Sequence, residues 1–297
     1  MKYRKRVAAA LISAAMLLTA MPVQTVSAAV SDQTKEAVRK ALRNAWEKRA
    51  SSISLTQYRL SPDEFADIYF DLLYTEGDWF YVGSGYSYST LMGRYIGSAS
   101  LEYNYSISEI PAMIEQFNQT VEDVTNQVYS SWTDAETVLF LHDWLAEHCE
   151  YDTSYEYADA YSALVGGKSI CQGYALAMCV LCRQIGIPCY AITSDELMHM
   201  WNVVQVDGKW YQCDVTYDDG VPDMLGHVTH TYMLQSDAAS MADKGSGFRL
   251  ELFCRRTEDQ LYIRCIRRCI LDQIERFDIS ASGRKLALCG FCAGQSG

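Results

Sequence analysis

Hydrophobic residues recur along this chain with two different periods, and the change between them outlines its elements. Val38, Ala41, Leu42, Ala45 and Trp46 repeat at helical spacing and predict an amphipathic helix over 34–49. Ser61, Pro62 and Glu64 supply an N-cap, a first-turn proline and a capping-box acid ahead of Phe65, Ile68, Tyr69 and Leu72, which marks a second helix. Between Trp79 and Tyr105 the chain is rich in Tyr, Ser and Gly with stretches of alternation, the pattern of short antiparallel strands. A stripe of Ile114, Phe117, Val121, Val124 and Val128 predicts a long helix. A further helix starts at Thr133 with Glu136 as its capping partner and buries Val138, Leu141, Leu145 and Cys149.

From residue 150 the order becomes helix, strand, tight turn and strand. A loop bearing Gly166 and Gly167 leads into a helical run at Cys171, with Tyr174, Met178, Leu181, Cys182 and Ile185 as its buried face and Gly186 and Pro188 as its stop. Asp207-Gly208 is a favoured two-residue hairpin turn, and the residues on both sides alternate. The fold class expected is α+β.

Composition narrows the setting. Lys2, Arg4, Lys5 and Arg6 precede an apolar run from Val7 to Val23 and the small-residue site Val26-Ser27-Ala28, so residues 1–28 read as a secretory signal peptide and the protein as exported. The run is shorter than the ~20 residues of a comfortable membrane span, and no membrane span is expected. The formal net charge of −12 argues against a nucleic-acid partner. Eleven cysteines follow no familiar disulfide framework, and their odd number leaves at least one thiol free. Residues 29–130 read as an accessory region and 131–243 as the catalytic core. Beyond Lys244 the texture changes, with five cysteines and many arginines over 244–297. Two readings stand for that tail: an additional element, or a change of reading frame near Lys244.

Cys171 at a helix N-terminus meets unpaired backbone amides and the positive end of the helix dipole, which favour a thiolate and can hold an oxyanion. Pairing Val206 with Lys209 across the turn sets Trp201 opposite Asp214 and makes His199 and Asp214 diagonal neighbours, with backbones roughly 7–8 Å apart. A nucleophile on a helix end and an oriented base on a hairpin are the parts of acyl transfer through a thioester. Other constellations carry less. Cys179 and Cys182 share a helix face and suit a redox or metal pair, though buried cysteines more often act as small hydrophobes. His227 and His230 are a spaced pair expected in a solvated loop, since two ligands alone rarely make a metal site. His142 and His148 have no evident carboxylate constellation. Asp214 has an alternative role as a turn cap, and the tyrosines of 81–105 as a glycan or peptide face.

Ser169-Ile170-Cys171-Gln172-Gly173-Tyr174-Ala175, Met198-His199-Met200-Trp201-Asn202-Val203 and Cys213-Asp214-Val215-Thr216-Tyr217-Asp218-Asp219 resemble, in that order, the motifs of bacterial secreted transglutaminase-like domains over about 137–219. Tyr217 stands where many bacterial members carry tryptophan. The resemblance implies a papain-like core with Cys171, His199 and Asp214 as its catalytic Cys, His and Asp, and no cofactor or metal. It implies a cysteine peptidase or amidase acting on a protein or peptide, cell-wall peptide included. A protein-crosslinking transglutaminase and a non-catalytic cell-surface binding module are the alternatives.

Overall fold

A computed structural model of the chain describes residues 30–194, 196–221, 228–237 and 239–240. The expected signal peptide, the tail after Lys244 and His227 lie outside the described residues.

The first helix, α1 (Asp32–Glu47), buries Val38, Leu42, Ala45 and Trp46. Strand β1 (Ser52–Ser54) follows, and α2 (Pro62–Thr75) begins at the expected cap: Glu64 N donates to Ser61 Oγ, and Ser61 N donates back to Glu64 Oε2. The Tyr-rich stretch forms β2 (Val82–Leu91) and β3 (Tyr95–Tyr103), antiparallel partners in a sheet of order β1-β3-β2. Aromatic rings weld α1 and α2 to this sheet. Trp46 meets Tyr69 edge-on at 5.3 Å, Phe65 meets Tyr86 edge-on at 5.1 Å, and the buried Tyr69 hydroxyl donates to Gly83 O at 2.6 Å. Period-two tyrosines therefore contribute to a core here, and Tyr69 and Tyr86 have hydroxyl pKa values raised by burial.

Helix α3 (Ile110–Thr125) ends one turn before Val128, and α4 (Asp134–His148) starts at the Thr133–Glu136 capping box. Its predicted buried positions Val138, Leu141, Leu145 and Cys149 are all buried. Strand β4 (Glu150–Tyr151), the short α5 (Ala160–Leu164) and β5 (Lys168–Ser169) lead to α6 (Cys171–Gln184). Strand β4 pairs β5 in parallel.

Helix α6 is the hub. Sequence spacing predicts one buried face, but every residue from Cys171 to Cys182 except Gln172 is buried, because α3, α4 and α5 pack on it together with strands β6 (Cys189–Ser194) and β7 (His199–Val206). A helix enclosed on all sides is apolar all round. Gly186, at φ 82°, turns the chain out of α6. Strands β6, β7 and β8 (Lys209–Cys213) form an antiparallel sheet in that order. Asp207 and Gly208 both have positive φ, as a type I′ turn requires, and the register runs from Val206↔Lys209 to Asn202↔Cys213 as the turn predicts. The ladder stops there, and α7 (Val215–Asp218) begins.

Candidate active site

Cys171 is the first residue of α6, after an extended Ile170 whose side chain cannot cap the helix. The first amides of a helix have no partner inside it, and Cys171 stands at that end; the Gly173 and Tyr174 amides donate to Ile170 O at 3.0 and 3.3 Å. Ile170 is held by donating its own amide to Tyr157 O at 2.8 Å. Cys171 belongs to a buried cluster with Ala175, Cys179, Ala191 and Met200, against which Tyr74 and Cys189 pack, and it is 4% exposed.

Asn202 fastens the helix to the sheet. From β7 its Nδ2 donates to Ala175 O at 2.9 Å and lies 3.3 Å from Cys179 Sγ. This bond crosses from β7 to the second turn of α6, which brings the hairpin against the candidate nucleophile. In the sequence Asn202 stands within a motif and carries no role of its own, because a buried asparagine leaves no periodic signal.

His199 opens β7 opposite Ser194, directly after Met198 in the left-handed region at φ 46°. Its Nε2 lies 2.8 Å from Asp214 Oδ2, with both side chains buried. Asp214 also caps α7, its Oδ1 accepting from Tyr217 N at 3.3 Å. The cap and the histidine partner, alternatives at the level of sequence, coexist because the carboxylate has two oxygens. The Asp214 amide donates to Tyr232 O at 3.1 Å, so the segment at 228–232 braces it from behind.

The imidazole is flanked by rings. Tyr217 stacks on it at 4.3 Å and 12°, and Trp201 lies parallel at 5.6 Å and 13°. Trp201 is fixed in turn by donating to Gln212 Oε1 at 2.6 Å. Burial disfavours the imidazolium, but the Asp214 carboxylate outweighs it, and with a hydrogen-bonding contribution from Cys171 it pushes His199 up to about 9. The structure thus brings Cys171, His199 and Asp214 together. Beside Gln172, a cavity of about 320 Å³ is lined by Tyr74, Tyr105, Tyr157 and Asp159 among others.

Among the described residues, Cys149, Cys171, Cys179, Cys182, Cys189 and Cys213 are free thiols. Cys179 turns toward Cys189, at 3.9 Å between sulfurs, an approach across α6 and β6 that the Cys179/Cys182 spacing does not reveal. A second correction concerns His142. Its sequence neighbourhood suggests no carboxylate constellation, yet Nδ1 lies 2.9 Å from Asp143 Oδ1 and Nε2 lies 3.2 Å from Asp218 Oδ2. His230, expected as a solvated loop residue, is half-exposed but has Nε2 at 2.8 Å from the same Asp143 oxygen.

Two curated relatives are similar to part of the chain. Kyphoscoliosis peptidase of Mus musculus is 28% identical over 126 residues, and that of Homo sapiens 27% over 124. These matches cover 36% and 35% of this chain but only 19% of each relative's length. A crystal structure of a TGase aligns with a TM-score of 0.32 at 17% identity, over 51% of this chain and 46% of that one. The segment that carries Cys171, His199 and Asp214 lies within residues 119–215, which match the model of the Transglutaminase-like superfamily.

Proposed function

We propose that this chain is an exported cysteine-dependent acyl-transfer enzyme that cleaves peptide or glutamine-type amide bonds through a thioester, as a peptidase or amidase. The observation that carries this reading is the buried His199–Asp214 pair beside a cysteine at the N-terminus of α6. With Nε2 engaged by Asp214, Nδ1 is the nitrogen left for the Cys171 thiol. His199 takes the thiol proton, and Cys171 Sγ bonds to the carbonyl carbon. The resulting oxyanion is held by amides of the first turn of α6. Collapse expels the amine with the proton from His199 and leaves a thioester. Water, deprotonated by His199, then attacks that carbon, and the carboxylic acid departs as the sulfur recovers its proton.

Export is supported by the basic and apolar start followed by Val26-Ser27-Ala28. The peptidase name of the mouse and human relatives supports hydrolysis, and the tyrosine-lined cavity beside Gln172 supports a peptide-sized substrate, cell-wall peptide included.

The test is incubation of the mature chain with a glutamine-containing peptide and a primary amine, followed by mass spectrometry, with Cys171→Ala as control. Cysteine-dependent cleavage or deamidation with the amine left unused supports the proposal. Amine incorporation would make the protein a crosslinking transglutaminase instead. Activity equal to the Cys171→Ala background across a peptide panel would leave a binding module.

A further inference from the structure

Beyond the His199–Asp214 pair, α4 meets the segment at 228–232 through histidine and aspartate side chains. His142 and Asp218 are both wholly shielded from solvent, with His142 Nε2 3.2 Å from Asp218 Oδ2. Asp218 is held as an acceptor: Oδ1 receives the Thr229 hydroxyl at 2.7 Å, and Tyr232 N lies 3.1 Å from Oδ1 and 2.9 Å from Oδ2. Nε2 of His142 is therefore the nitrogen that carries hydrogen, and the lone pair of the neutral ring belongs to Nδ1.

That lone pair faces Asp143 Oδ1 at 2.9 Å, and the same oxygen lies 2.8 Å from Nε2 of His230. Two acceptors at hydrogen-bond distance need a positive centre between them. His230 can donate to that oxygen as its neutral Nε2–H tautomer, but the His142–Asp143 contact needs either one further proton, making His142 an imidazolium, or a divalent cation. The ligand atoms offered by His142, Asp143 and His230 all lie within 4.8 Å of one another. Two imidazoles and a carboxylate suit first-row divalent ions, Zn²⁺ in particular. The buried carboxylate on the far side of His142 is the outer partner that metal-bound histidines have, fixing both tautomer and ring orientation. His230 and Asp143 keep side-chain exposures of 47% and 34%, which leaves an open side for a water as fourth ligand.

We propose that His142 Nδ1, Asp143 Oδ1 and His230 Nε2 form a binding site for a divalent transition-metal ion of Zn²⁺ type, with Asp218 orienting His142. The ion pins residue 230 to α4. Tyr232, two residues on, supplies the carbonyl that receives the Asp214 amide, so the ion stiffens the backbone behind the candidate acid without touching the reacting atoms. The proposal stands whether or not Cys171 is catalytic.

The experiment is calorimetric titration of chelator-treated mature chain with ZnCl₂ near neutral pH, with thermal unfolding in parallel, for the native sequence, His230→Ala and Asp143→Asn. His230 is half-exposed on a loop, so its removal leaves the core intact. Expected are one ion per chain, a loss of affinity of at least about tenfold in each variant, and a rise in unfolding midpoint with Zn²⁺ that His230→Ala abolishes. No saturable binding by the native chain overturns the proposal. Unchanged affinity in both variants overturns it too, since the ion would then sit elsewhere.

Discussion

Replacing Asp214 by asparagine isolates the charge that sets the state of His199. Asparagine keeps the shape and an oxygen for the Tyr217 amide, and removes the carboxylate 2.8 Å from Nε2. In the folded protein His199 titrates at about 9 against an ordinary 6.5. At ~1.4 kcal/mol per tenfold change in proton affinity, that difference corresponds to about 3 kcal/mol, most of it owed to Asp214. A histidine whose folded value is raised stabilises the fold fully below its unfolded value of 6.5, and this stabilisation is lost as pH rises through about 9. Without the carboxylate, burial is opposed only by the Cys171 contribution, and the His199 value falls. Urea unfolding should thus separate native and Asp214→Asn by up to about 3 kcal/mol near pH ~6, with the gap narrowing near pH ~10. The imidazole C–H resonances of His199, followed by NMR across pH, report the titration itself. A His199 that still titrates near 9 in Asp214→Asn would refute the reasoning, because another group would then be holding the proton.

Two further outcomes follow from packing around the same site. In Gly173→Ala the new methyl would lie 2.6 Å from Asp159 O and closer still to Ser169 Oγ; Asp159 caps α5 and Ser169 ends β5 just ahead of Cys171, so a stability loss of about 2–3 kcal/mol is expected in chemical denaturation. An unchanged midpoint would mean that these two segments give way at little cost. In Tyr217→Ala the imidazole loses the ring stacked at 4.3 Å, a contact worth ~0.5–1.5 kcal/mol. Cys171 alkylation and peptide turnover should both fall, by about two- to tenfold, with little change in fold by circular dichroism.

Local signals carried well from sequence to structure, and long-range ones did not. The Ser61–Glu64 and Thr133–Glu136 boxes each sit within four consecutive residues, so helix starts were readable from those residues alone. Asp207-Gly208 fixed the turn, the turn fixed the register, and the register put His199 near Asp214. What the register could not show was that pairing ends at Cys213, freeing Asp214 to cap α7 while it holds His199. The enclosure of α6 was half legible: a stretch with Gln172 as its one partly exposed residue before Arg183 signals burial, but which elements surround it depends on the whole topology. Asn202 and the His142 cluster were opaque for the same reason. Their partners stand 27, 76 and 87 positions away, and polar pairs at such separations leave no periodic trace.

If Cys171 is an activated nucleophile paired with His199, the rate of iodoacetamide alkylation at each cysteine, resolved by mass spectrometry on folded protein near neutral pH, reports it. Burial pushes the Cys149 thiol up to about 12 and raises those of Cys189 and Cys213 well above the ordinary range, so these three should react slowly. Cys171 should be modified first, and His199→Ala should slow it selectively. Labelling of Cys171 no faster than that of Cys149, Cys189 and Cys213, or a rate indifferent to His199→Ala, would exclude an activated pair.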